Sequence, residues 1–218
     1  MWIGTRSRHT TQPLITRNPA APQHILGQVS LAHRANVDDA VHAAHAAQPA
    51  WAALSVRERV TRLKAAAALM RQQREHLTAF EILEVGKTWR EADADVCEAI
   101  NYLEYYSHSM LTREERSPLL QMPGEQNTCR LIPRGVACVL APWNFPYAIL
   151  TGMATAALVT GNAVILKPAE QASITAAQLA ELFRAAGIPP AIIQYVPGVG
   201  EEVGAALVRH AGTHVILF

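Results

Sequence analysis

One uncharged run limits most of what this chain can fold into. From Gly135 to Leu166 it reads GVACVLAPWNFPYAILTGMATAALVTGNAVIL, without a single Asp, Glu, Lys, Arg or His. A run of that length must cross a bilayer or be buried in a protein core. Pro142, Pro146 and the Gly161-Asn162 pair cut it into pieces too short to span a membrane as one helix. The pieces suit a different architecture. Val136 to Ala141 is continuous and apolar, as in a strand buried on both faces. Tyr147 to Val159 has helical length and is rich in Ala and Leu, and Ala163 to Leu166 is a second buried strand. Strand, helix and strand with short links make a βαβ unit.

The rest of the composition narrows the function classes. Hydrophobic residues make up 50% of the 218, enough for a sizeable core. The formal net charge is +1 and no Lys/Arg stripe recurs at helical spacing, so nucleic acid is not an expected partner. No membrane partner is expected either. Cys97, Cys129 and Cys138 are odd in number and lack metal-ligand spacing, which predicts a reducing, cytoplasmic setting and no metal site. Cys138 falls inside the first buried strand, where a thiol acts as a small hydrophobe.

Residues 1–34 are expected to form an N-terminal arm with short strands, the best candidate being Ile25 to Leu31. A helical part follows over 35–116. Asn36 is expected to cap a helix whose apolar positions are Val37, Ala40, Val41 and Ala44. Ser55 to Glu58 is a capping box that opens a second helix. A third, from about His76, stops at Gly86. Thr88 to Glu91 is another capping box, starting a long amphipathic helix to about Leu111. Residues 117–134 look like a hairpin, Leu119 to Met122 against Thr128 to Ile132 around Gly124. From 135 to 218 the βα pattern repeats. A helix from about Ile174, capped by Ser173, ends near Gly187; Ile192 to Val196 is a third strand; a helix reaches about Arg209; His214 to Phe218 begins a fourth strand. The fold class is therefore α/β: a helical segment leading into an incomplete Rossmann-like open parallel sheet. The pattern stops on a strand, and the chain is expected to be cut before its sheet is complete.

Ligands of open α/β sheets bind beyond the carboxyl ends of the strands, so the three strand-to-helix turns hold the candidates. In Pro142-Trp143-Asn144-Phe145-Pro146, two prolines restrict the backbone around Asn144. One fixed carboxamide N–H suits an oxyanion forming on a carbonyl, where such a donor is worth about 3–4 kcal/mol. Asn144 could equally cap the Tyr147 helix or make an Asx-turn. In Lys167-Pro168-Ala169-Glu170, an ammonium and a carboxylate could hold the hydroxyls of a ribose, and the carboxylate would favour NAD over NADP; both residues could also be ordinary solvated positions. Gly198-x-Gly200-x-x-x-Gly204 follows a strand and opens a helix, but it is one residue longer than a dinucleotide fingerprint. Glu201 and Glu202 would oppose a pyrophosphate there. Helix packing, or an adenine neighbour, suits these glycines better.

In order and spacing, PWNFP, KPAE and GVGEEVG resemble the NAD(P)-dependent aldehyde dehydrogenase superfamily, from about Asn18 through Phe218. Within it, Glu84-Val-Gly-Lys-Thr-Trp-Arg-Glu-Ala-Asp-Ala-Asp95, Glu104-Tyr-Tyr106, Ile149 to Met153 and Ala156 to Gly161 resemble the Δ1-pyrroline-5-carboxylate (L-glutamate γ-semialdehyde) dehydrogenases. These occur alone or as a domain of the bifunctional proline-utilisation protein. The resemblance implies that Asn144 is the side-chain half of an oxyanion hole, and that Lys167 and Glu170 hold the adenosine ribose of NAD. Trp143 would line the cofactor cleft, and Gly198 and Gly200 would lie near the adenine. Phe145 would face the aldehyde channel, and Glu98 on the long helix would approach the substrate side unless it is merely solvated. The 117–134 hairpin would belong to an oligomerisation element, with a homo-oligomer expected of the parent enzyme.

The family's Cys nucleophile and Glu base are expected beyond Phe218, and none of the three cysteines present sits in the nucleophile context. Two expectations follow. One is the N-terminal part of an NAD-dependent enzyme that oxidises a small aldehyde, L-glutamate γ-semialdehyde or a relative such as succinate semialdehyde. The other is a non-catalytic dinucleotide-binding or pseudoenzyme fragment. On either, the 218 residues alone are expected to be inactive.

Overall fold

A computed structural model describes every residue except 12 and 116–118, together with the side chain of residue 115. A small N-terminal hairpin comes first, β1 (Trp2–Ile3) and β2 (Arg6–Ser7), and then an antiparallel pair, β3 (Pro13–Asn18) and β4 (Ala21–Ser30). Four helices follow: α1 (Arg34–Ala52), α2 (Val56–Gln72), α3 (Arg74–Val85) and α4 (Trp89–Glu115). The alternating part comprises β5 (Val136–Ala141), α5 (Ala148–Val159), β6 (Ala163–Pro168), α6 (Ser173–Ala185), β7 (Ile193–Tyr195), α7 (Ala205–Arg209) and β8 (Val215–Leu217). The main sheet has the order β2-β1-β7-β6-β5-β8. Its β5, β6, β7 and β8 are parallel neighbours, and β1 adds antiparallel to β7 through Trp2 and Tyr195. The α/β, mostly parallel class expected from the sequence is what forms. The antiparallel β1–β2 edge was not legible, because two-residue strands carry no periodicity.

The uncharged run fills the centre. All but one residue of β5 and every residue of β6 are buried. Full burial of each Val, Ile or Leu there contributes about 1.5–3 kcal/mol. α1 packs against β5, β6 and β7 and touches α7; α5 and α6 pack against the sheet and are covered in turn by α2, α3 and α4. Among the described residues no helix is long and apolar enough to cross a membrane.

Local chemistry sets most helix ends. The Ser55 hydroxyl accepts the Glu58 N–H at 3.2 Å, and the Glu58 carboxylate accepts the Ser55 N–H at 2.8 Å. Thr88 and Glu91 repeat that exchange at 3.2 and 3.4 Å. Gly86, with φ 75°, stops α3 in the left-handed conformation that glycine adopts without penalty. Two expected caps move. α1 starts a turn earlier than expected, at Arg34; Asn36 sits inside it and accepts the His33 N–H at 2.9 Å. Ser173 lies within α6, its hydroxyl donating to the Glu170 carbonyl at 3.0 Å, so it does not cap.

The expected hairpin over 117–134 begins outside the described residues. Its described part reverses at Met122–Glu125 through a 3.0 Å backbone bond. The Gln121 and Asn127 side chains, not a strand ladder, tie its two limbs together.

Candidate functional site

β5 is flanked by β6 on one side and β8 on the other, so the chain switches direction across the sheet at its carboxyl end. Open α/β sheets bind ligands at such a point. A cleft of about 600 Å³ opens there, lined by Leu140, Ala141 and Pro142 after β5, Lys167 after β6, Gly200 and Gly204 before α7, and Phe218 after β8. Its walls are largely apolar side chains around one cation.

Lys167 is buried, and its Nζ stands 3.3 Å from Glu170 Oε1. The same oxygen accepts the Gly200 N–H at 2.7 Å. A Cβ built on Gly200 would sit 3.9 Å from both Glu170 Oε1 and Lys167 Nζ, so this glycine packs directly against the couple where Lys167 meets the cleft. Gly198 is placed otherwise. A Cβ there would lie 2.5 Å from a Val203 methyl and 3.0 Å from the Ala32 carbonyl oxygen. It is a packing glycine, whereas Gly200 belongs to the Lys167–Glu170 group.

Trp143, Asn144 and Phe145 are all exposed on the β5–α5 turn, directly after the Pro142 that lines the cleft. Asn144 does not cap α5: the helix has no side-chain cap from its own segment. Asp95 of α4 does that work, its two oxygens accepting the Tyr147 and Ala148 N–H groups at 3.1 Å each. A carboxylate at a helix N-terminus satisfies orphan donors and complements the dipole. At the other end, Trp51 Nε1 donates to the Leu158 carbonyl at 2.9 Å, and Arg59 Nε to Val159 at 3.0 Å. α6 is treated alike. Glu84 of α3 accepts the Ile174 and Thr175 N–H groups at 2.7 Å each, and the Thr175 hydroxyl besides. Burial pushes the Glu84 carboxyl pKa up, opposed by those hydrogen bonds.

Sequence reasoning gave no role to Asp95, Glu84, Glu81 or Lys87. The signal was available: Glu81 and Glu84 share the buried face of α3 with Leu77, and Asp95 shares that of α4 with Val96 and Ala99. An acid on an apolar stripe needs a partner. Glu98 lies exposed on α4 and accepts from the Tyr102 hydroxyl, a bond that raises the tyrosine's pKa. Burial drives the Cys138 thiol up to about 12, so it is an inert core group.

Residues 5–218 match the aldehyde dehydrogenase family. The chain belongs to that family. Among curated aldehyde dehydrogenase relatives, 1-pyrroline-5-carboxylate dehydrogenase of Geobacillus thermodenitrificans is 41% identical over 216 residues, which cover 99% of this chain and 42% of that protein. A solved Thermus 1-pyrroline-5-carboxylate dehydrogenase with bound NAD superposes with a TM-score of 0.94 at 42% identity, over 99% of this chain and 42% of that one. Proline utilization A from Bdellovibrio bacteriovorus gives 0.89 at 36% identity, over all of this chain and 23% of its own. The chain thus spans less than half the length of these aldehyde dehydrogenase relatives.

Proposed function

We propose that this chain is the cofactor-binding, N-terminal part of an NAD-dependent aldehyde dehydrogenase that oxidises L-glutamate γ-semialdehyde to glutamate. The observation that carries this reading is the Lys167–Glu170–Gly200 group, whose Lys167 and Gly200 line the cleft beside the turn that presents Asn144. The cleft suits a dinucleotide: Gly200 brings no side chain into it beside Lys167, and the apolar walls suit a flat ring. Lys167 would donate to a ribose hydroxyl and Glu170 would accept from the 2′- and 3′-hydroxyls, disfavouring a 2′-phosphate. Trp143, by its backbone, and Gly200 would border the cofactor. Bound there, NAD supplies the hydride acceptor.

Asn144 donates its carboxamide N–H to the carbonyl oxygen of the aldehyde as negative charge builds on it. Its freedom to do so comes from Asp95, which takes the helix amides an Asn in that turn would otherwise cap. Phe145 borders the aldehyde channel and Glu98 lies toward the substrate side. The nucleophilic Cys and the general base are assigned to residues beyond these 218. The semialdehyde is preferred over succinate semialdehyde because the relatives of 41% and 42% identity are 1-pyrroline-5-carboxylate dehydrogenases. Exposed Leu120 and Ile132 support a homo-oligomer formed through 117–134. Three unpaired cysteines support the cytoplasm.

The experiment is NADH formation by the full-length protein, with glutamate γ-semialdehyde and succinate semialdehyde in parallel. Preferred turnover of the first is expected; no NAD-dependent turnover of either would overturn the reading. A chain that only binds dinucleotide is the second reading, favoured by the inert Cys138 and the completeness of the Lys167 couple. NAD affinity without turnover in the full-length protein would select it.

A further inference from the structure

Behind the Asn144 turn lies a group of buried charges that the proposed chemistry does not use. Glu81 is fully buried, and neither of its carboxyl oxygens has a hydrogen-bond partner. A carboxyl without hydrogen-bond partners in such a site favours its protonated form, because burial penalises the charge. Lys87 Nζ lies 2.8 Å from Glu81 Oε1 and 3.7 Å from Asp95 Oδ2, and also 4.2 Å above the centroid of the Phe145 ring. One ammonium therefore touches both acids and an aromatic side chain next to Asn144.

Every element around Glu81 contributes to its setting. Asp95 comes from α4, Lys87 from the α3–α4 turn, Tyr147 from the start of α5, and Glu84 from the next turn of α3. α6 brings neutral groups only, Thr175 on Glu84 and Gln178, which accepts the Tyr147 hydroxyl proton at 2.6 Å. With its proton in place the Glu81–Asp95–Lys87 set is neutral: one carboxylate, one carboxylic acid, one ammonium. Without it, two adjacent anions compete for one cation.

We propose that Glu81, Asp95 and Lys87 are a proton-bearing positioning unit for the Asn144 turn. The proton on Glu81 leaves Asp95 to hold the Tyr147 and Ala148 amides while Lys87 remains over Phe145. Loss of that proton to solvent draws Lys87 toward the acids and loosens the turn. Burial first, and then the nearby Asp95 carboxyl, push the Glu81 pKa up to about 9 against the opposing pull of Lys87. The turn is thus held at neutral pH and released on the alkaline side. The consequence for catalysis rests on the oxyanion role of Asn144; the clamp itself does not.

The test is NMR on the full-length protein, selectively labelled at Phe, Tyr and Ala, between pH 6 and 10.5. It follows the Phe145 ring and the exchange of the Tyr147 and Ala148 amides, corrected for intrinsic base catalysis. Ring shift and amide protection should change together with a midpoint near 9, exchange rising about tenfold or more. Glu81→Gln keeps the shape of the protonated side chain without its titration and should hold both probes at their low-pH values throughout. Lys87→Met removes the cation that opposes protonation and should move the midpoint upward. A wild-type profile flat to pH 10.5, a transition that persists in Glu81→Gln, or an unmoved midpoint in Lys87→Met overturns the proposal. These probes read the turn without turnover, so an Asn144 variant of unchanged kcat would sink the oxyanion role and leave the clamp standing.

Discussion

The two strand-to-helix turns at the carboxyl edge, after β5 and after β6, are built on one plan and finished differently. In both, the helix amides are held by a carboxylate from a distant helix, Asp95 for α5 and Glu84 for α6, which frees the turn's own polar residues. After β6 those residues are already engaged: Glu170 binds Gly200, and Lys167 stands beside it. After β5, Asn144 is exposed and takes no part in capping α5, which leaves its carboxamide for the role proposed above. Under the proposed function the turn after β6 serves a cofactor, and its polar groups are already joined to one another before any ligand arrives. A catalytic donor must stay unsatisfied until substrate arrives, because a committed N–H cannot stabilise a new charge.

The comparison breaks most visibly at Asn144. In the full-length enzyme, Asn144→Ala should lower kcat by roughly 100- to 1000-fold with little change in NAD affinity; steady-state kinetics with an unchanged kcat would remove it from the chemistry. Next in size is the cap on the other turn. Glu84→Ala leaves two α6 amides and the Thr175 hydroxyl without their acceptor, and should destabilise the chain by about 2–3 kcal/mol in denaturant melts. A loss no larger than at a surface site would mean that α6 caps itself.

A pH series sharpens the contrast. Glu81 has a folded-state pKa near 9, above its ordinary 4.5, so it adds stability that is fully present below pH 4.5 and lost as the pH rises to about 9. Wild type should therefore melt lower at pH 9 than at pH 5, and Glu81→Gln should lack that part of the decline; parallel curves would refute the linkage. Glu170→Gln should relax the preference for NAD over NADP by a smaller factor, read as the ratio of the two kcat/KM values. An unaltered ratio would end the ribose assignment. The smallest effect is a null one: Cys138 should resist iodoacetamide in the native chain while exposed Cys129 reacts, and equal labelling would contradict the burial of β5.

Local sequence carried the elements that local chemistry makes. The uncharged run fixed β5, α5 and β6 because each piece is long enough, apolar enough and punctuated by Pro or Gly. Capping boxes at Ser55 and Thr88 and the left-handed Gly86 marked helix ends within a residue or two. Lys167, Glu170 and Gly200 could be picked out because they fall in the strand-to-helix connections after β6 and β7. What the chain alone could not say was which partner completes each of them. Asn36 and Ser173 were expected as caps, and the fold gave Asn36 a position inside α1 and handed the α6 amides to Glu84. Gly198 and Gly200 look alike in sequence, yet one meets Val203 and the other the Lys167 couple. Asp95 lies far along the chain from the amides it holds, and nothing at either position names the other. Local periodicity decides how a segment coils and which side it buries; only the packed tertiary structure brings a carboxylate from one helix to the open end of another.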